Sequence, residues 1–154
     1  LAQLDSLYRK KELSVDRQLL LAGFYMQDDR TEEAEKLLAD AAQMKPVFDS
    51  GLTVLHAKLA VLKDKLKEAL EYYNRLYRIN NHDPGILYNI ARIHAKGGNK
   101  TEAYKWLNKA ISAGFNYTYV LQHDPYLQKV RAGNEWKKMI SAVEGIPYIP
   151  NESF

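Results

Sequence analysis

Apolar residues return every three or four positions along most of this chain, the spacing of helices with one buried face, and short polar turns interrupt the pattern at regular intervals. The clearest stretch is residues 84–115, where Asp83 before Pro84 supplies an N-cap and a first-turn proline. Gly97-Gly98-Asn99 breaks it into two helices, with Thr101 and Glu102 suited to opening the second. Two weaker copies precede it. Ser14 caps a helix over 15–28 with Val15, Leu21, Ala22 and Tyr25 on one face; Asp28-Asp29-Arg30 is the turn, and Thr31-Glu32-Glu33 opens a helix to about Met44 that Pro46 stops. Asp49-Ser50 starts the next pair, which turns at Lys63-Asp64-Lys65 and resumes from about Leu66 to Arg78.

The ends differ from the middle. Residues 1–12 read as a helix with Leu1, Leu4, Leu7 and Tyr8 on one stripe and Arg9, Lys10 and Lys11 placed to complement its dipole. After Asn116, residues 117–123 suit a short helix, Asp124-Pro125 opens a helix to about Arg131, Ala132-Gly133-Asn134 breaks it, and 135–143 forms a last helix presenting Trp136, Met139 and Ile140. Pro147 and Pro150 keep residues 145–154 extended.

Small residues tie the copies together: Ala22, Ala57 and Ala91 stand 35 and 34 residues apart, as do Ala34, Ala69 and Ala103, and Leu38, Tyr73 and Leu107. With Leu21-Ala22, Tyr25 and Pro46 in the first copy, and Leu87, Ile90-Ala91 and Leu107 in the third, the chain resembles the 34-residue tetratricopeptide repeat (TPR) over about 15–117. Gln18, Thr53, His56, Asn81, His94 and Phe115 depart from its pattern. The resemblance implies an all-α, right-handed α-solenoid of antiparallel helix pairs, at about 15–48, 50–83 and 84–117. Leu4 and Leu7 lie 34 residues before Leu38 and Ala41, so residues 1–13 are expected to be the second half of a truncated repeat. Residues 118–144 are similar to the capping segment of bacterial TPR arrays, followed by the tail 145–154.

Composition narrows function mainly by exclusion. The 154 residues carry a net charge of +3 with the signs interspersed, too little to argue for nucleic acid. Cysteine is absent, which removes thiolate chemistry. No apolar run is long enough for membrane insertion. His56, His82, His94 and His123 are scattered, with no metal-binding spacing, and no P-loop or nucleophile-elbow motif occurs. No enzyme, cofactor or metal is therefore expected. The start at Leu1 and the half-repeat at 1–12 suggest a processed product or a fragment, in cytoplasm or periplasm.

In the third copy Tyr88, Arg92 and Lys96 form a stripe apart from the packed residues, with Asn89 beside it; matching offsets give Val54, Lys58 and Leu62, then Leu19, Gly23 and Gln27. The TPR resemblance implies that such first-helix stripes line a concave groove, here partly apolar at one end and basic at the other. The expected ligand is an extended or helical peptide with an apolar anchor and an acidic group. The two-Lys, two-Asn and Arg carboxylate clamp of some TPR domains is absent, since the equivalent places hold Leu19, Gly23, Leu55, Gly85 and Asn89. The expected function is a non-catalytic protein-interaction scaffold. The alternative is an accessory or regulatory C-terminal region of a longer enzyme, sensor or secreted or lipoprotein chain, docking in cis or pairing with another copy through the N-terminal helix edge.

Overall fold

Three of the turns that join helices are closed by the same hydrogen bonds. In the computed structural model, which describes residues 1–9, 13–44 and 49–145, the elements are α1 (Ala2–Arg9), α2 (Val15–Gln27), α3 (Thr31–Met44), α4 (Ser50–Leu62), α5 (Leu66–Ile79), α6 (Pro84–Lys96), α7 (Lys100–Ser112), α8 (Thr118–His123), a 3-10 turn at Pro125–Leu127, and α9 (Asn134–Glu144). Described residues include no strand, so the fold is all-α. The readings that involve Lys10, Lys11, Pro46 and most of the tail fall outside the described residues.

After α2, α4 and α6 the chain enters the left-handed region at Asp29 (φ 60°), Asp64 (φ 57°) and Gly98 (φ 83°), again 35 and 34 residues apart. The next amide then reaches back five residues, Arg30 N to Tyr25 O at 2.8 Å, Lys65 N to Ala60 O at 2.8 Å and Asn99 N to His94 O at 2.9 Å. These bonds satisfy carbonyls that the helix end leaves open and reverse the chain within three residues. Gly114 (φ 105°) closes α7 in the same way, with Phe115 N bonded to Ala110 O at 2.9 Å.

Starts are set by carboxylates and an amide. Asp49 accepts from Leu52 N, and Asp83 accepts from Gly85 N and Ile86 N with Pro84 in the first turn, while Ser14 makes no side-chain cap bond. The cap of α7 is Asn99, whose Oδ1 accepts from Glu102 N at 3.3 Å, with Thr101 and Glu102 in the first turn. The helix expected after Asp124-Pro125 shrinks to the single 3-10 turn. There the Arg131 guanidinium donates to the carbonyls of Leu121 and Asp124 and the Tyr104 hydroxyl to that of Val130, holding residues 124–131 as consecutive turns. Gly133 permits this: a Cβ there would lie 2.8 Å from the Tyr104 hydroxyl.

The chain divides into two compact units, Leu1–Leu76 and Tyr77–Phe154, with the division in the last turn of α5. In the first, α2, α3 and α4 pack against one another, and Leu21, Ala22, Tyr25, Ala34, Leu38 and Ala41 lie in one core. In the second, α6 packs on α7, and Leu87, Ala91, Ala103 and Leu107 share a core with Leu121, Leu127, Trp136 and Ile140. The six aligned alanines are all 0 % exposed. Gln18, in the place of the repeat's Trp, is buried and donates to Leu13 O at 3.0 Å, while Thr53 donates to Asp49 O at 2.7 Å.

The equivalent left-handed positions predict opposite responses. Asp29→Gly should raise the urea unfolding midpoint, by roughly 0.5–1 kcal/mol, because glycine takes φ near 60° without the Cβ clash. Gly98→Ala should lower it by about 1–2 kcal/mol although no atom lies within 4 Å of the added Cβ.

Candidate functional site

The expected binding stripe on α6 meets the chain's own later residues. Asp124, 8 % exposed, accepts from the Tyr88 hydroxyl and from Arg92 Nε through Oδ2, each at 2.5 Å, and from Tyr126 N through Oδ1 at 2.9 Å. The Tyr88 ring stacks on Phe115 with centroids 4.1 Å apart. Arg92 also donates to Asn89 Oδ1 at 3.1 Å and lies 4.6 Å from the Tyr126 ring centroid. Lys96 Nζ sits 4.6 Å from the same centroid, and Lys129 donates to the Lys96 carbonyl. Burial above all, then the hydrogen bond and charge of Asp124, pushes the Tyr88 phenol well above its usual range.

This corrects the expectation that Tyr88 and Arg92 face an open groove: the 3-10 turn covers them, and the phenol, guanidinium and carboxylate satisfy one another. Asn89 is half-buried and turned to its own helix, donating to Gly85 O at 2.8 Å, and Lys96 is half-buried. Asp124 was legible only as a cap. A signal for its second role was present: Tyr88 and Arg92 lie one turn apart with no carboxylate in the α6 sequence. An ion pair withdrawn from water stabilises only while both partners remain. Asp124→Asn should therefore cost about 2–4 kcal/mol by urea unfolding, less than a fully buried pair because Arg92 is 28 % exposed, and Tyr88→Phe about 1 kcal/mol.

The matching face of the first unit is open. Gln27 on α2 and Lys58 on α4 are exposed, Leu62 is 45 % exposed, and Leu19 and Val54 are half-buried. The two helices are neighbours here: Leu19 Cδ1 lies 4.0 Å from where a Cβ on Gly51 would stand. Neither helix bears an acidic residue beyond Asp16. Leu19, Val54 and Leu62 thus offer apolar surface and Lys58 a cation.

His56 stacks on Tyr72 with centroids 5.3 Å apart, and burial lowers its pKa from 6.5 against the opposing charges of Glu68 and Glu35. Burial lowers His94 too, with Glu102 opposing. Among the described residues no group of three or more His, Asp or Glu could hold a metal ion, and no helix is long and apolar enough to cross a membrane. A histidine whose folded pKa is depressed takes fewer protons folded than unfolded, so its stability contribution is complete above 6.5 and declines as pH falls below it. The urea midpoint should drop between about pH 7 and pH 5.5, and His56→Gln combined with His94→Gln should flatten that slope.

Residues 60–132 match the family model described as tetratricopeptide repeat. No curated protein matches the chain. The fold is similar to the crystal structure of PcrH from Pseudomonas aeruginosa, with a TM-score of 0.57 at 16 % identity over 86 % of this chain and 95 % of that one. It is also similar to PcrH in complex with the chaperone binding region of PopB, with a TM-score of 0.56 at 14 % identity over 85 % of this chain and 97 % of that one.

Proposed function

We propose that this chain, whose residues 60–132 match the tetratricopeptide-repeat model in an all-helical fold, is a non-catalytic protein-interaction scaffold that binds a peptide segment on the first-helix face of its 1–76 unit. The observation that carries this reading is the contrast between the two units. On α6 the corresponding stripe meets Asp124 and Tyr126, whereas among the described residues no such polar cover lies on Leu19, Gln27, Val54, Lys58 and Leu62. An apolar side chain on the ligand would rest against Leu19, Val54 and Leu62, and an acidic group would pair with Lys58. The ion pair would contribute orientation more than affinity, since an exposed lysine gains little from a single carboxylate in water. Asn89 and Lys96 are secondary contacts at most, being held by their own helix and by Tyr126. The PcrH structure with a region of PopB supports the class of ligand, a segment of another protein.

The test begins with peptides selected from a random-sequence display library on the intact chain and titrated by fluorescence anisotropy. Leu62→Asp and Lys58→Glu should each weaken the selected peptides about tenfold while leaving the circular dichroism unchanged. Full affinity in both variants would move the site elsewhere.

A further inference from the structure

A cleft in the 77–154 unit has a chemistry that neither first-helix face shares. It encloses about 430 Å³ beside the end of α5, the Asn81-His82 linker and α7, a volume in the range of small-ligand sites. Tyr77 and Ala113 give it an apolar wall over the buried Leu87, and Asn81, His82, Asn108 and Lys109 a polar one.

Lys109 is held in place there by aromatic rings. Its ammonium lies 4.4 Å from the Trp106 centroid and 5.6 Å from that of Tyr77, and the two rings meet edge to face at 5.1 Å. Trp106 is anchored in turn, its Nε1 donating to Glu102 Oε2 at 3.1 Å. The neighbouring Lys105 is already neutralised, with its ammonium 3.2 Å from Glu102 Oε1. Among the described residues no carboxylate pairs with Lys109. A smaller cleft of about 210 Å³ in the 1–76 unit is different: its lysines, Lys63 and Lys65, are paired with Glu35 and Glu68. A place in the last turn of α7 accounts for a basic residue at 109 through the helix dipole, and the side chain as a whole is exposed. Here it is oriented at the edge of a cleft, with part of its ordering entropy already spent in the free protein.

We infer that this cleft is a second ligand site, which takes an Asp or Glu side chain of a protein partner on Lys109, with an adjacent apolar side chain against Tyr77 and Ala113. A single unneutralised cation matches one carboxylate; nucleic acid would need a row of them. The site shares no residue with the face proposed above, so either can fail without the other.

The intact chain, labelled with nitrogen-15, is titrated with acetyl-Leu-Glu-Leu-Glu-amide, with the peptide in which both Glu are Gln, and with inorganic phosphate. The Glu peptide should shift the amides of Asn81, His82 and 105–113 and the Trp106 indole N–H, and bind about tenfold more tightly than the Gln peptide. Lys109→Met should reduce Glu-peptide affinity about tenfold, whereas Lys109→Arg retains it and Lys138→Met, an exposed lysine on α9, leaves it unchanged. Equal binding of the Glu and Gln peptides, wild-type affinity in Lys109→Met, or an equal loss in Lys138→Met would overturn the inference. Phosphate shifting the same resonances at the same or lower concentration would overturn it in favour of a phosphate site.

Discussion

Close approach of helices at alanine is the constraint on which this structure depends. Ala22 and Ala34 in one pair, and Ala91 and Ala103 in another, are wholly buried in the cores where α2 packs on α3 and α6 on α7, and side chains no larger than methyl groups let the backbones come close. Larger residues nearby, Leu21 next to Ala22, and Leu38, Leu87 and Leu107 one turn from Ala34, Ala91 and Ala103, then fill the grooves beside them. A leucine in any of those alanine places would push the helices apart and leave its neighbours unfilled. The turns serve the same geometry, because a reversal at Asp29, Asp64 or Gly98 brings the second helix back at once against the first.

Helix pairs of this kind leave an apolar flank that something must cover. In the 77–154 unit that is done by residues 118–144, whose Leu121, Leu127, Val130 and Trp136 enter the same core as Leu87 and Leu107. The cover is fastened by polar bonds at its edges. Asp124 holds Tyr88 and Arg92, Arg131 holds two carbonyls of its own segment, and Tyr104 reaches Val130. Apolar burial supplies the driving force there, and the hydrogen bonds fix one register out of several that burial alone would permit.

The parts of this fold set by local chemistry were readable in the sequence. Asp49 and Asp83 cap the helices they precede, the turns fall at 28–30, 63–65 and 97–99, and the 35- and 34-residue offsets pick out residues that are buried. One local reading missed: the Pro125 helix ended after three residues because Arg131 and Tyr104 bind carbonyls in that segment. The expected site suffered more, since it depends on contacts between distant residues. Tyr88 and Asp124 are 36 residues apart, and helical periodicity records which side of a helix a residue occupies without recording what lies across from it. The aromatic frame around Lys109 was hidden for the same reason, as Tyr77 and Trp106 stand on different helices, α5 and α7.

Asp124 also bears on what the α6 face can accept. With the carboxylate seated on Tyr88 and Arg92, any outside group aimed at that stripe would have to expel a charged group from a site nearly closed to water and leave the guanidinium without its counter-ion. One acidic side chain thus makes the chain its own occupant of that stripe.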